Sequence, residues 1–142
     1  MTVKPAVIDT NVVVSGVLTA HSASPTARIL DGMLAGRFRF LLSIDLLREN
    51  REVLLRPRIR RRHGLADRDV DVVMTEVARN GALLELAPLA SAAARRADEH
   101  LWQMLAAAPA AVLVTGDRRL LDRASGGARV MQVRTFADLL EE

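Results

Sequence analysis

Short apolar runs alternate with helical segments along the whole chain, and this alternation restricts the folds that are open to it. Strands that alternate with helices build a parallel sheet whose two faces are covered by those helices. The chain has no internal repeat, linker or low-complexity tract, and its 142 residues are enough to bury one core. The sequence therefore predicts an α/β fold: one three-layer α/β/α domain over residues 1–142, with a central, mainly parallel sheet of five strands.

The expected elements follow from apolar patterns and from residues that begin or end helices. Ser24 and Pro25 begin a helix that Gly36 ends, and Pro57 ends the next one. Periodicity alone would extend the first strand through Val14. The predicted strands are Ala6–Asp9, Arg37–Ser43, Ala82–Ala87, Ala111–Asp117 and Ala128–Val133. The predicted helices are Ser24–Gly36, Ile44–Arg56, Asp67–Arg79, Ala97–Ala108, Arg118–Ala124 and Thr135–Glu142.

Composition excludes several classes of protein. The chain has no cysteine, which excludes disulfides and thiolate metal sites, and its three histidines argue against a zinc site. The N-terminus lacks the basic and apolar regions of a signal peptide. The uncharged stretch Gln103–Gly116 is too short to span a bilayer and contains Pro109. We therefore expect a soluble, cytoplasmic protein without a membrane partner.

Arginine accounts for all but one of the twenty basic residues, which exceed the seventeen carboxylates and leave a net charge of +3. Because the guanidinium fork matches phosphate oxygens, this composition suits a polyanionic partner. A genome whose base composition favours arginine and alanine codons would produce the same excess, and composition alone leaves both explanations open. The four aromatic residues argue against a surface that grips single strands mainly by base stacking.

Two predicted strands end in aspartate, where a charge needs an explanation. Asp9 ends the first strand and Asp117 ends the fourth. An unpaired carboxylate in a core is strongly unfavourable, whereas chemistry in an open parallel sheet gathers outside the carboxyl ends of the strands. One aspartate after a strand is usually a cap or turn residue. Two of them, with hydroxyls at Thr10 and Thr115, predict a site at one edge of the sheet.

The helix that follows the second strand adds another acid to this site. Glu49 borders the apolar stripe of the helix, so we take it as a site candidate. Glu52 lies four residues from Arg48 and from Arg56, where an exposed ion pair explains it. Asn50 has apolar helical neighbours, and the sequence leaves open whether it is a buried amide with a hydrogen-bond partner or a residue that lines the cleft.

Asp98 and Glu99 lie at the start of the predicted helix Ala97–Ala108, where acids commonly complement the helix dipole. That explanation weakens if the helix begins beside Asp9 and Asp117. Two carboxylates about 4 Å apart repel by roughly 4 kcal/mol at an effective dielectric of about 20. Four acids in one cleft therefore need protons or a cation between them. Oxygen ligands without cysteine or histidine point to Mg²⁺ or Mn²⁺.

The chain resembles the PIN-domain family, in particular the VapC-like toxin ribonucleases of bacterial toxin–antitoxin pairs. The resemblance rests on the order and spacing of acids in "VIDTNVVVSGVL", "LSIDLLRENREVLLRPRIRRRHGL" and "DEHLWQMLAAAPAAVLVTGDRRLL". It implies that the first strand stops near Asp9 and lies beside the strand that ends at Asp117. It also implies a metal-dependent endoribonuclease in which a metal-activated water attacks the phosphodiester.

The resemblance carries the site residues over by position. Asp9, Glu49 and Asp117 match three of the family's acids, and the fourth position is Glu99, directly preceded by Asp98. Either of these two neighbours is a candidate ligand, because the family usually has aspartate here. The expected metal ligands are Asp9, Asp98 or Glu99, and Asp117, with Glu49 as a further catalytic acid. Asn11, Ser15 and Thr115 match polar residues that orient the ligands or bind water.

The expected partners are RNA, a cognate antitoxin protein and a second copy of the chain in a homodimer. Arg118 and Arg119 directly follow Asp117 and are candidates for phosphate contact. Arg56 and Arg58 belong to a basic run that either tracks RNA or is simply solvated.

Three alternatives differ from the toxin hypothesis. The chain could be a PIN-type nuclease of RNA processing or decay, or a catalytically degenerate RNA- or protein-binding module. Glu99 slightly favours the degenerate module, but all four acid positions remain acidic. A phosphoacceptor signalling domain would also collect aspartates and Mg²⁺ at strand ends. It needs a lysine near its last strand, and Lys4 is the only lysine in the chain.

Overall fold

The sheet confirms the predicted α/β class, with five strands that are all parallel. The computed structural model describes residues 4–87, 91, 93, 98–123 and 129–141. The strands are β1 Ala6–Ile8, β2 Phe40–Leu42, β3 Ala82–Leu83, β4 Val112–Thr115 and β5 Val130–Gln132. Their order is β3-β2-β1-β4-β5, and each neighbouring pair is parallel. The strand before Asp9 and the strand before Asp117 therefore lie side by side, as the resemblance implies.

Helices flank this sheet. In the described part of the chain they are α1 Thr10–Leu18, α2 Pro25–Leu34, α3 Ile44–Leu54, α4 Pro57–His63, α5 Asp67–Asn80, α6 Glu99–Ala107, α7 Arg118–Arg123 and α8 Val133–Leu140. None of these described helices is long and apolar enough to cross a membrane. Four residues at the ends of predicted elements lie outside the described residues: Ala97, Ala124, Ala128 and Glu142.

α1 shows where tertiary packing overrides local propensity. Its three consecutive valines favour a strand, yet β1 stops at Ile8 and Thr10 begins a helix. These three consecutive valines, Val12–Val14, are all buried. Gly16 lets α2 approach closely, since a Cβ at this position would lie 2.9 Å from the Thr26 carbonyl oxygen. A helix therefore buries this apolar segment against both the core and α2.

The basic run after α3 forms a helix that the sequence analysis does not predict. Pro57 lies in the first turn of α4, and Gly64 ends the helix with a left-handed φ of 68°. None of the seven residues of α4 is buried, so the helix has too few apolar residues to produce a recognisable pattern. His63 connects it to the preceding helix through an Nε2 contact of 2.8 Å with the Leu54 carbonyl oxygen.

The edge strand β3 and its neighbour β2 are shorter than predicted. β2 covers Phe40–Leu42 instead of residues 37–43, and β3 covers Ala82–Leu83 instead of residues 82–87. In the part of the chain that the structure describes, β3 is an edge strand that pairs with β2 through two residues. Each predicted segment is longer than the part that pairs with the neighbouring strand, so composition overestimates the length of the paired segment.

The register of the two central strands aligns the site. β1 and β4 are completely buried, and Ile8 pairs with Val114. The residues that follow this pair, Asp9 and Thr115, consequently emerge together at the carboxyl edge of the sheet.

Candidate active site

Asp9 is held in place by donors from the neighbouring strand and from α1. Its backbone N–H donates to the Val114 carbonyl oxygen over 3.0 Å, which extends the pairing of β1 with β4. The Thr115 hydroxyl donates to Asp9 Oδ2 over 2.7 Å. The Asn11 amide donates to the same oxygen over 3.2 Å. The orientation of this carboxylate is therefore determined by the sheet and by the first turn of α1.

Burial dominates the electrostatics of Asp9, which is only 5% exposed. Loss of solvation raises the pKa of this carboxyl from 3.8 to about 6, against the lowering effect of the Thr115 hydrogen bond. The charges of Asp98 and Glu49 raise this pKa further. Among the described residues, no cationic side chain forms an ion pair or a hydrogen bond with this buried carboxylate.

Asp117 lies two residues beyond β4 and is bonded to the same threonine. Its backbone N–H donates to Thr115 Oγ1 over 3.0 Å, so that one hydroxyl connects the two aspartates. The Arg119 guanidinium donates to Asp117 Oδ2 over 2.9 Å. This bond lowers the pKa of Asp117, and the backbone N–H groups of Arg119 and Leu120 lower it further. Unlike Asp9, Asp117 already has a cationic partner.

Glu49 projects from α3, whose N-cap residue is Ser43. The Ser43 side chain accepts the Leu46 N–H over 3.0 Å. The Glu49 side chain is 17% exposed. His100 Nε2 lies 3.2 Å from Glu49 Oε2. Burial raises the pKa of Glu49, but the hydrogen bond from His100 and the charges of His100 and Arg56 outweigh burial and lower it.

Asp98 immediately precedes α6 and has a left-handed backbone, with a φ of 65°. Among the described residues it is the only one other than glycine with a positive φ. Aspartate tolerates this conformation better than most residues do. Burial and then the charge of Glu49 raise the pKa of Asp98. One ligand atom from each of Glu49, Asp98 and His100 can be chosen so that all three lie within 4.8 Å of one another.

A cavity of about 590 Å³ collects these groups at the carboxyl edge of the sheet. Its carboxylates are Asp9, Glu49, Glu52, Asp98 and Asp117. Its guanidinium groups are Arg56, Arg62 and Arg119, and its apolar wall contains Val14, Leu18, Val53 and Ile59. Burial and then the charges of neighbouring carboxylates raise the pKa of Asp9 and of Asp98. The cavity therefore has the charge and the oxygen donors that suit a hard divalent cation.

A family model of the PIN domain matches residues 5–119 of the chain. The chain belongs to the PIN-domain family. PIN domains are metal-dependent nucleases that act on nucleic acids, and the acidic cluster of this PIN domain could hold the divalent metal ion. No curated protein and no solved structure matches the chain.

The PIN domain brings most of the predicted site residues together. Those that line the cavity are Asp9, Glu49, Asp98, Asp117, Asn11, Ser15, Arg56 and Arg119. Thr115 is buried behind them and bonds Asp9. Glu99, Arg58 and Arg118 are exposed and do not line the cavity.

The structure also places Glu52, which the sequence analysis explains as a solvated residue, and Asn50, which it leaves open. Glu52 is exposed, as expected of a solvated residue, but it also lines the cavity. Asn50 is buried and does not line the cavity, which favours a buried amide over a cleft residue. The hydrogen-bond partner that this interpretation includes is not found for its Oδ1 among the described residues.

Sequence reasoning did not place His100 near the site and did not distinguish Arg62 from the other arginines of the basic run. His100 is counted only as evidence against zinc, although it lies on the apolar face of α6 with Leu101 and Met104. A polar ring on an apolar stripe, two residues from a candidate ligand, is the pattern that could have identified it. Arg62 is one of five arginines in the basic run, and only the position of α4 brings it to the cavity.

Proposed function

We propose that this PIN domain is a Mg²⁺- or Mn²⁺-dependent endoribonuclease and the toxin component of a VapC-like toxin–antitoxin pair. The observation that supports it best is the meeting of Asp9, Glu49, Asp98 and Asp117 at one cavity. These side chains come from four separate segments of the chain, and burial and mutual repulsion raise the pKa of two of them. Such an arrangement is unfavourable without a cation and has no evident structural purpose.

The proposed metal ligands are Asp9, Asp98 and Asp117, with Glu49 as the fourth catalytic acid. Asp98 is preferred to Glu99 because it lines the cavity, whereas Glu99 is exposed. A bound divalent cation would polarise the scissile phosphodiester and activate water for in-line attack. Thr115 and Asn11 hold Asp9 through its Oδ2 atom, so that the carboxylate is oriented before the cation arrives.

The charge distribution supports an extended polyanionic substrate. Arg56, Arg62 and Arg119 line the acidic cavity and can contact phosphates, whereas the carboxylates would repel a strand that arrives without a cation. The apolar wall of the cavity offers contact area for sugars and bases.

A second cavity of about 400 Å³ adjoins the acidic cavity. It shares Ser15, Leu18 and Arg62 with the first cavity and is lined otherwise by Thr19, Ser24 and Thr26. It contains hydroxyl groups and an arginine but no carboxylate. We infer that a phosphate next to the scissile bond lies here, where hydroxyl and guanidinium donors meet it without acidic repulsion.

Four parts of the proposal rest on the resemblance to VapC-like toxins. They are the choice of RNA as the substrate, inhibition by a cognate antitoxin, assembly as a homodimer and a cytoplasmic location. PIN-type cleavage in RNA processing or decay is the alternative that the same cavity supports equally well. A degenerate binding module is less favoured, because the four acids that line the cavity are all present.

The deciding experiment incubates the purified protein with mixed-sequence single-stranded RNA and, separately, with DNA of the same sequence. Each substrate is tested with Mg²⁺, with Mn²⁺ and with EDTA, for the wild type, Asp9→Asn and Asp31→Asn. Asp31 is exposed on α2 and lines neither cavity, so it controls for the loss of a carboxylate elsewhere. RNA cleavage that requires the metal and disappears only in Asp9→Asn supports the proposal. Metal-independent cleavage, or equal activity of all three proteins, contradicts it.

A further inference from the structure

His100 is a buried ring that contacts a proposed catalytic acid without lining the cavity. It lies in the first turn of α6 and is buried. Its Nε2 is 3.2 Å from Glu49 Oε2, across 51 positions of sequence. Its Nδ1 is buried and has no hydrogen-bond partner among the described residues. The contact with Glu49 is therefore the one polar interaction that the described structure gives this ring.

The direction of the hydrogen bond follows from the chemistry of the two groups. The pKa of Glu49 is lowered, and an ionised carboxylate can only accept. Nε2 of His100 must therefore carry a proton and donate, whichever charge the ring has. A carboxylate on a flexible glutamate side chain loses rotational freedom when one of its oxygens is held in this way.

We propose that His100 is a positioning residue that fixes the carboxylate of Glu49 toward the cavity. The proposal rests on the proposed function, because it concerns the orientation of an acid within the same metal-dependent site. A single turn of chain thereby serves two purposes: Asp98 supplies a ligand, and His100, two residues later, orients an acid from another helix. The bond also joins α3 to α6 where the two helices meet the site.

A direct ligand role for His100 is the competing interpretation, because its ring is within 4.8 Å of Glu49 and Asp98 oxygens. Two observations favour positioning. The ring is 1% exposed and is not among the cavity-lining residues. In addition, the nitrogen that faces the acids is already within hydrogen-bond distance of Glu49.

The test compares side chains that do or do not place a donor where Nε2 lies. Glutamine at this position extends an amide N–H about as far as Nε2, whereas asparagine reaches only about as far as Nδ1 and leucine has no donor. The full-length variants are His100→Gln, His100→Asn and His100→Leu. Leu101→Ala, equally buried on the same helix, controls for lost packing. Mn²⁺ affinity is measured without RNA, together with thermal unfolding, and RNA cleavage is measured separately.

We expect His100→Asn and His100→Leu to bind Mn²⁺ about 10- to 100-fold more weakly, because Glu49 belongs to the group of residues that could hold the cation and loss of a group that orients such a residue typically has an effect of this size. His100→Gln should stay within about threefold of the wild type, because its amide restores the donor. Leu101→Ala should lower the melting temperature and leave the affinity unchanged. In a Glu49→Gln background, His100→Asn should have little further effect, since the group that it positions is already altered.

Three results would overturn the positioning role. In the first, folded His100→Asn binds Mn²⁺ as tightly as the wild type. In the second, His100→Gln is as weak as His100→Asn. In the third, pulsed EPR of the Mn²⁺-loaded wild type shows coupling to a ligated imidazole nitrogen, which would make His100 a ligand. A wild type that binds no Mn²⁺ and cleaves no RNA would instead refute the proposed function itself. If the wild type binds Mn²⁺ and cleaves RNA, and His100→Asn changes neither activity, the positioning role alone is refuted.

Discussion

Asp9 and Asp117 follow neighbouring parallel strands and share one threonine, yet their electrostatics are opposite. Asp9 comes directly after β1, is 5% exposed and has a pKa raised to about 6 by burial. Asp117 comes two residues after β4, has a side chain that is 20% exposed and has a pKa lowered by Arg119. The more deeply buried aspartate of this pair therefore carries a charge that a bound cation would offset, whereas the more exposed one already has a counter-charge.

The comparison is tested most strongly by removing each charge in turn. We expect Asp9→Asn to reduce metal-dependent cleavage by on the order of 10³-fold, and Asp117→Asn by about 10²-fold, because Asp117 is partly neutralised by Arg119 already. Single-turnover cleavage of one RNA at saturating Mg²⁺ measures both. Equal losses would mean that burial does not distinguish the two ligands.

Asp9→Asn should also stabilise the metal-free fold at neutral pH. The pKa of Asp9 is raised from 3.8 to about 6 on folding, so the folded protein binds this proton more tightly than the unfolded chain does. The stability that this proton contributes is complete below pH ~3.8 and is lost as pH rises through about 6. The asparagine cannot ionise, so the variant should exceed the wild type by up to about 3 kcal/mol at pH 7 and by little at pH 4.

Urea unfolding in EDTA at the two pH values measures this difference between wild type and variant. Asp31→Asn, at an exposed position, controls for removal of an aspartate as such. If the variant and the wild type differ in free energy of unfolding by the same amount at pH 4 and at pH 7, ionisation of Asp9 does not destabilise the fold.

Thr115→Val removes the hydroxyl that serves both aspartates. Without this donor the pKa of Asp9 should rise above about 6, since the Thr115 bond lowers it. Mn²⁺ affinity at pH 7 should fall about tenfold, and the pH at which binding is half-maximal should increase. Thr115→Ser keeps the hydroxyl and should behave like the wild type. If valine and serine variants bind equally, the shared hydroxyl does not orient the ligands.

Arg119→Ala gives the smallest expected effect and removes the cationic partner that lowers the pKa of Asp117. The pKa of Asp117 should rise toward its ordinary range, because its largest lowering interaction is lost. KM for RNA should increase a few-fold, and the dependence of log affinity on log salt should decrease by about one. Arg118→Ala is the matched control, since Arg118 is exposed and does not line the cavity. Similar changes in both variants would indicate a diffuse charge effect.

The sequence by itself determined the fold class and the edge at which the site lies. Apolar runs mark the buried strands, and in a parallel sheet the ends of β1 and β4 must meet at one edge, whatever the details of packing. The same local patterns predicted the capped start of α2, where Ser24 accepts the Ala27 N–H over 3.2 Å. These features depend on neighbours in sequence, which is why they could be predicted.

The tertiary structure alone decided features that depend on distant segments. α1 is a helix despite its valines because it packs against α2 at Gly16. Asp98 faces the cavity while Glu99 is exposed, because adjacent residues at a helix start point in different directions and no sequence pattern specifies the left-handed turn. His100 meets Glu49 only when α3 and α6 converge on the edge of the sheet. Burial of Asp9, which raises its pKa, likewise exists only once the surrounding elements have packed.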